Sequence, residues 1–241
     1  PVLIVTLVSL VLPFAIAVAI PLATGDRLSE DSDLVRISAV VDPQAALTPD
    51  ARVQLFLLQQ FLMLFMLTPT TGAMALAAHA VVGEKQARTL EPLLATPITT
   101  FELLAAKVAG SLIPAIALTF ASFAVYVAGT VVFAHAGVFR ALLTPRSLMI
   151  VFLLGPLAAL AALQMAVCVS SRVNDARSAQ QIGALIILPV SALLVAQVSG
   201  TFLLTGPIIL LIALALAVVN AGLMALGIAL FDRESILTRW K

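Results

Sequence analysis

Long apolar runs separated by short polar segments dominate the chain. Stretches without Asp, Glu, Lys or Arg cover residues 2–25, 53–83, 108–139, 148–171 and 178–231. A helix rises about 1.5 Å per residue, so about 20 apolar residues cross the hydrocarbon core of a membrane. The last run has 54 residues, which is too long for one crossing, and Gly200 and Gly206-Pro207 predict a turn within it. The pattern therefore predicts six transmembrane helices.

We expect an all-α integral membrane protein whose single transmembrane domain covers residues 1–241. The second run is longer than one upright crossing needs, and Thr68 to Gly72, which includes Pro69, predicts a kink in it. For the first run the alternative is a cleaved signal peptide, which its long uncharged length and the lack of a visible basic segment disfavour. The predicted spans are approximately 2–24, 54–82, 108–133, 148–170, 180–198 and 207–230.

The basic residues predict an orientation in the membrane. Six spans place both termini on one side, together with the loop 84–107. Lys and Arg number eight on that side and five on the other. Cytoplasmic loops carry the excess of basic residues, so we expect this loop and both termini in the cytoplasm of a multi-pass cell-membrane protein. The segment 26–52, with six acidic and three basic residues, is predicted to be an extracytoplasmic connection.

Composition supports this class and excludes others. The chain is 62% hydrophobic and 10% charged, far from the norm of soluble domains. A net charge of +1 provides no basic surface for nucleic acid. The single cysteine, Cys168, cannot form an internal disulfide and is interpreted as a small core residue.

Several kinds of catalytic and coupling chemistry have no candidate residues. The sequence lacks the G-x-x-x-x-G-K-[ST] loop, so we expect no cofactor on these residues. Any ATP that drives the protein would bind a partner subunit or a part of the chain outside residues 1–241. The spans lack the Asp, Glu, Lys and Arg that ion-coupled carriers usually keep at membrane depth. His79 and His135 have no acidic partner at helical spacing, which disfavours a metal site. We therefore predict no catalytic, cofactor-binding or metal-ligating residue, and an enzyme is disfavoured.

Polar side chains within the spans have two interpretations. Most are expected to form hydrogen bonds between helices. Gln59 and Gln60 are the candidates for lining a transport pathway, together with Thr70 at the predicted kink. Adjacent residues point about 100° apart on a helix, so at most one glutamine can face a cavity squarely. The remaining polar side chains are Thr71, Thr119, Ser122, Tyr126, Gln164, Gln197 and Asn220.

Residues 83–107 form a dense polar segment with strong helix signals. Thr89 can cap a short helix from Leu90 to about Ala95, and Thr96-Pro97 ends that helix because a residue before proline is disfavoured in the α region. A second helix follows at once, since Thr99 and Glu102 have the spacing of a capping box. That helix continues into the next apolar run. The leucines that share one face of the short helix are Leu90, Leu93 and Leu94.

These residues also carry a resemblance to a known family. The run E-K-Q-A-R-T-L-E-P-L-L-A-T-P from Glu84 to Pro97, followed by E-L-L-A-A-K from Glu102 to Lys107, resembles the first cytoplasmic loop of ABC-2-type ABC transporter permeases. Residues 170–181 and 230–240 resemble the same family. One departure is Ala87-Arg88, where the family usually has a glycine before the threonine.

The resemblance implies a function. The chain would be the permease subunit of an ATP-driven transporter, with export favoured over import. It would pair with itself or a second permease, contact membrane lipid and dock on a cytoplasmic ABC ATPase subunit. The short helix would be the coupling helix in a groove of the ATPase, and spans two and five would line the path. The implied ATPase-coupling residues are Glu84, Arg88, Thr89, Leu90, Glu91, Leu93 and Leu94.

An alternative function uses the same loop. The chain could be a non-transporting membrane scaffold or regulator that docks a soluble cytoplasmic partner. ATPase activity that is coupled to movement of a cargo would separate the two functions.

Overall fold

The computed structural model consists of helices throughout the part of the chain that it describes. That part comprises residues 47–62, 70, 72–74, 76, 77, 83, 99–170, 181, 185, 188, 189, 192 and 205–230. Its helices are α1 (Pro49–Leu62), α2 (Thr100–Phe133), α3 (Val138–Leu142), α4 (Pro145–Met149), a π-helical segment (Ile150–Leu154), α5 (Gly155–Ser170) and α6 (Gly206–Leu230).

Three of these helices are long and apolar enough to cross a membrane. They are α2, α6 and the continuous helix Pro145–Ser170 that α4, the π-helical segment and α5 form together. We call this last one the central helix. The three overlap the predicted spans three, six and four. The predicted all-α membrane fold is thus confirmed for the described residues, while the first span and the short helix after Thr89 lie outside them, and span five is described only at isolated positions.

Helix α1 begins inside the segment that was predicted as a connection. The backbone oxygen of Thr48 accepts a hydrogen bond from the Arg52 amide at 3.0 Å, and its hydroxyl oxygen accepts one from the Ala51 amide at 3.4 Å. Pro49 follows at the first helical position, where its missing N–H costs nothing, and Asp50 suits the positive end of the helix dipole. Thr48-Pro49-Asp50 is a helix-start signal that the interpretation of residues 26–52 missed.

Helices α1 and α2 run in opposite directions. The Tyr126 hydroxyl donates a buried hydrogen bond of 2.8 Å to the backbone oxygen of Leu58, which joins the later part of α2 to α1. Ala73 and Ala77, further along from α1, pack in one core cluster with Leu103 and Leu104 at the start of α2. A second core cluster around Tyr126 packs α1 against α2. Its other buried members are Ala51, Leu55, Leu58, Leu62, Phe123, Val138, Leu142 and Val151.

The central helix runs opposite to α2. Phe152, near its start, packs on Phe120 and Phe123 of α2, with ring centroids 4.7 Å and 5.6 Å apart. Near its end, Val167 shares a core cluster with Leu104 from the start of α2. The central helix is the most deeply enclosed of the three long helices, and alanines at many of its positions allow neighbouring backbones to approach closely.

The central helix and α6 run side by side in the same direction. Ile150 and Leu154 pack on Ile209 and Ala213 near the start of both helices. Near the end of both, the Cys168 Sγ lies 3.6 Å from the Leu223 backbone oxygen. The buried or half-buried positions of α6 repeat every three or four residues, as in the seam of a parallel coiled coil. The series with this spacing is 209, 213, 216, 220, 223, 227 and 230, and the half-buried positions 206, 208, 212 and 224 lie next to it.

The π-helical segment was not predicted from the sequence. The Gly155 amide bonds to the Ile150 backbone oxygen, five residues back instead of four. Pro156 follows directly; it lacks an N–H, and its ring would collide with the carbonyl oxygen four residues earlier in a regular helix. Widening the turn relieves this collision. The Gly155-Pro156 pair within a predicted span is the sequence signal for the distortion.

The connection between α2 and the central helix is a packed corner. Gly137 caps α3 with a φ of 91°, a left-handed conformation that glycine adopts freely. A Cβ atom at this position would lie 2.7 Å from the Leu47 Cδ2. Thr144 then caps α4: its hydroxyl oxygen accepts a hydrogen bond from the Ser147 amide at 3.2 Å. The connection between His135 and Ser147 therefore contains the short helix α3.

Candidate functional site

The chain enters or leaves the helical bundle at three points that lie at one end. Thr99 caps the start of α2 there, and Ser170 and Leu230 end the central helix and α6. Leu104 and Val167 share a core cluster, against which Leu230 packs, so these three points lie at the same end, which we call the loop end. The polar segments that follow or precede these points, including the predicted coupling loop, connect to the bundle here.

The start of α2 is firmly held at the loop end. The Thr99 hydroxyl oxygen accepts a hydrogen bond from the Glu102 amide at 3.2 Å, and the Glu102 Oε2 accepts one from the Thr99 amide at 2.8 Å. This is the capping box that the sequence predicted. Leu103 and Leu104 follow directly and are buried. The chain therefore enters α2 through a fixed first turn.

Close contacts join the three helices just inside the loop end. A Cβ atom placed on Gly227 would lie 3.5 Å from the Leu104 Cδ1 and 3.6 Å from the Cys168 Sγ. Gly227 of α6 thus lies against both α2 and the central helix. Cys168 is buried, in agreement with its interpretation as a small core residue. The start of α2 therefore packs against both α6 and the central helix.

The predicted ATPase-coupling residues fall outside the described part of the chain. This applies to Glu84, Arg88, Thr89, Leu90, Glu91, Leu93 and Leu94. Their roles stay predictions. What the structure adds is the anchorage of Thr99, two residues after the Pro97 that ends the predicted short helix.

The three predicted pathway residues differ in their surroundings. Gln59 and Gln60, on α1, are both half-buried. The Gln60 Oε1 is buried and accepts no hydrogen bond within the described part of the chain. Thr70 is fully buried. Of the three candidates, Gln60 thus has a buried acceptor oxygen without a hydrogen-bond donor in the described part of the chain.

Four of the polar side chains predicted to link helices donate hydrogen bonds in the described part of the chain, and these four divide into two groups. Tyr126 does so through its bond to Leu58, and the Asn220 Nδ2 donates to the Leu157 backbone oxygen at 3.1 Å. Thr119 and Ser122 instead donate, each at 2.8 Å, to the carbonyl oxygen four residues earlier in their own helix. These two residues are exceptions to the expectation that most of these side chains link helices, because an apolar environment offers a hydroxyl no nearer acceptor than its own helix.

Gln54 forms a link between helices that the sequence interpretation overlooked. Its Oε1 accepts a hydrogen bond from the His135 amide at 2.8 Å and lies 2.9 Å from the His135 Nδ1. Gln54 is buried and fastens α1 to the end of α2, far from the loop end. The available signal in the sequence was the position of Gln54, a polar residue four positions before Leu58 on the apolar face of α1.

The comparison with protein families agrees with this architecture. The model of the ABC-2 family transporter proteins matches residues 47–213, which is more than half of the chain and includes α1, α2, the central helix and the start of α6. The chain belongs to the ABC-2 transporter family. The resemblance seen in the loop and the helical membrane fold thus agree on a multi-pass membrane protein that is a transporter permease. No curated protein and no solved structure matches the chain.

Membership of this family describes a membrane transport component, not a catalytic subunit. Among the described residues, no three His, Cys, Asp or Glu side chains lie close enough to hold a metal ion.

Proposed function

We propose that this chain is the permease subunit of an ATP-driven exporter whose ATPase is a separate cytoplasmic subunit. The family match over residues 47–213 carries the proposal. Residues 1–241 contain no P-loop, and we place nucleotide binding on the separate subunit. Two permease chains, identical or different, would form the transporter, each docked on one ATPase.

The loop end is the proposed docking side. Polar segments that contain the majority of the basic residues connect to the bundle at this end: 84–98, 171–180 and 231–241. The excess of Lys and Arg favours a cytoplasmic position for them. A single end that collects several polar segments gives a soluble partner a broad surface, and we place the ATPase there.

The directions of the long helices support the predicted number of spans. The central helix and α6 run parallel, so the chain has to return to the starting level between Ser170 and Gly206. One further crossing in that interval accounts for the return and agrees with the predicted fifth span, 180–198. Together with the run 2–24, this gives the six spans that we propose.

The predicted short helix is the proposed coupling element. Leu90, Leu93 and Leu94 would insert into a groove of the ATPase, and Glu91 would pair with a basic group on its rim. Thr89 would cap this helix, and Glu84 and Arg88 would support each other at four-residue spacing. The capping box at Thr99 and the buried Leu103 and Leu104 supply a stiff connection from this helix to α2.

Nucleotide binding would favour one arrangement of the two ATPase subunits. A rigid first turn of α2 could transmit that bias, because packed interfaces switch between discrete arrangements more readily than they bend. Gly227 lies against both Leu104 and Cys168, so the same displacement would reach α6 and, through it, the central helix. We propose that spans two and five then open a path for cargo, with Gln59, Gln60 and Thr70 along span two.

Labelling from the two sides of the membrane tests the orientation. Single cysteines at Ser32 and Gln86, each in a Cys168→Ala background, should react with a membrane-impermeant thiol reagent from opposite sides. In intact cells we expect Ser32→Cys to be labelled and Gln86→Cys to be protected until the membrane is opened. Labelling of Gln86→Cys in intact cells would contradict a cytoplasmic loop.

Leucine in place of Gln60 tests the pathway. The Gln60 Oε1 makes no hydrogen bond in the described structure, so Gln60→Leu removes no internal bond. We expect normal assembly but altered cargo-stimulated ATPase activity, because a polar contact on the path is lost. Gln54→Leu is the matched comparison: it breaks the bonds to His135 and should lower stability. If Gln60→Leu reduces assembly and activity in the same proportion, Gln60 is structural.

Co-purification tests the partnership itself. The chain, tagged at its C-terminus and extracted from its native membrane in mild detergent, should retain a protein with a P-loop. Addition of ATP and vanadate should alter the stability of that complex. A stoichiometric partner without a nucleotide-binding site would favour the scaffold function instead.

A further inference from the structure

Two buried amide side chains lie in the seam between the central helix and α6. Asn220 is at the centre of the buried stripe of α6, and Gln164 is on the central helix; each is only 6% exposed. The Asn220 Oδ1 and the Gln164 Oε1 both accept no hydrogen bond within the described part of the chain. A buried amide oxygen without a donor is strongly unfavourable, most of all at membrane depth.

Gln164 shares the side of the central helix that faces α6. Leu157 and Cys168, which lie seven residues before and four residues after it, both contact α6: the Leu157 oxygen accepts from Asn220 at 3.1 Å, and the Cys168 Sγ lies 3.6 Å from the Leu223 oxygen. Residues at these spacings lie on one face of a helix. The helical register therefore places Gln164 in the same seam as its two neighbours.

The two amides occupy neighbouring levels of this seam. The bond from Asn220 to the Leu157 oxygen and the contact of Cys168 with Leu223, three residues after Asn220, together place Asn220 between the levels of Leu157 and Gln164. Helical side chains lean towards the N-terminus, so Gln164 leans towards Asn220. Two acceptor oxygens at neighbouring levels of one seam suit a single small molecule that donates two hydrogen bonds.

We propose that Gln164 and Asn220 form a buried water-binding site between the central helix and α6. A water molecule has two O–H donors and would satisfy both oxygens; buried waters typically bind two to four polar groups. The site is independent of cargo and nucleotide. The water would also favour the one register of the two parallel helices in which both amides can bind it, as a buried asparagine favours one register of a coiled coil.

A double-mutant cycle on the full-length chain in detergent tests the shared donor. Gln164→Leu and Asn220→Leu should each lower the unfolding midpoint by roughly 2–4 °C. The midpoint of the double variant should fall by clearly less than the sum of these two decreases. Asn220→Leu also removes the bond to the Leu157 oxygen. It does so both in the native chain and in Gln164→Leu, so this loss cancels from the coupling between the two sites. Should a leucine variant fail to insert, Gln164→Met and Asn220→Ala repeat the cycle. Additive effects, or midpoints that rise in both single variants, would overturn the proposal.

Radiolytic oxidation distinguishes water from a direct amide–amide bond. Brief X-ray pulses produce hydroxyl radicals from water bound beside a side chain, and Met224 lies one turn after Asn220. Its oxidation should be lost in the double variant, whereas oxidation of Met149, at the other end of the central helix, should not change. Coupling in the cycle with unchanged Met224 oxidation would assign a direct bond between the amides and overturn the water site.

Discussion

Transport should be abolished when Leu93 and Leu94 are both replaced by alanine, while the chain still inserts into the membrane. Both leucines lie on the predicted apolar face of the short helix that ends at Pro97. Truncating a buried leucine typically costs about 2–5 kcal/mol, and about 1.4 kcal/mol is a tenfold change in affinity. If even one of the two is buried in the ATPase groove, binding should fall by roughly thirtyfold or more.

Glu84→Gln is the matched control in the same loop. An exposed pair between Glu84 and Arg88 at four-residue spacing would contribute only about 0.2–0.5 kcal/mol, so this variant should retain transport. Co-purification with the ATPase and cargo transport are to be measured on the same preparations. Undiminished binding and transport in Leu93→Ala/Leu94→Ala would make the loop a passive connector.

Valine at Gly137 should strongly destabilise the fold. The φ of 91° at Gly137 is a genuine outlier for a β-branched residue, and the left-handed conformation costs about 1–2 kcal/mol for most residues. The new Cβ would also lie 2.7 Å from the Leu47 Cδ2, so the end of the Leu47 side chain has to move, and overpacking that cannot relax costs about 1–3 kcal/mol. We expect the unfolding midpoint in detergent to fall by roughly 5–10 °C.

Two substitutions separate the causes of this effect. Gly222→Ala, in α6, meets no atom within 4 Å and keeps a helical backbone, so its midpoint should stay close to that of the native chain. Gly137→Asn tolerates the left-handed conformation and should lose less than Gly137→Val. Equal midpoints for Gly137→Val and the native chain would show that the corner around α3 does not hold α1 in place.

The sequence predicted those parts of the fold that depend on local signals. The capping box at Thr99 and Glu102 is present because both partners lie within one helical turn and need no distant contact. The three long helices follow from uninterrupted apolar runs. The start of α1 was missed although Thr48-Pro49-Asp50 signals it, because the charges around it were given more weight than the cap.

Features that depend on tertiary packing could not be predicted. The bond between Gln54 and His135 joins residues 81 positions apart, and no periodicity in the chain pairs them. The parallel seam of the central helix and α6 is visible in α6 as a repeat of buried positions, but its partner helix is buried on nearly every side and shows no stripe. Because the central helix shows no stripe, the sequence did not indicate that Gln164 and Asn220 belong to one seam.

Reconstitution tests the central claim most directly. The permease would be placed in lipid vesicles with the ATPase that co-purifies with it, and movement of candidate cargo from the ATPase side to the other side would be followed during ATP hydrolysis. The account predicts transport that requires both chains and stops when the ATPase cannot hydrolyse ATP. A complex that hydrolyses ATP at the same rate with and without the permease, and moves no cargo, would contradict it.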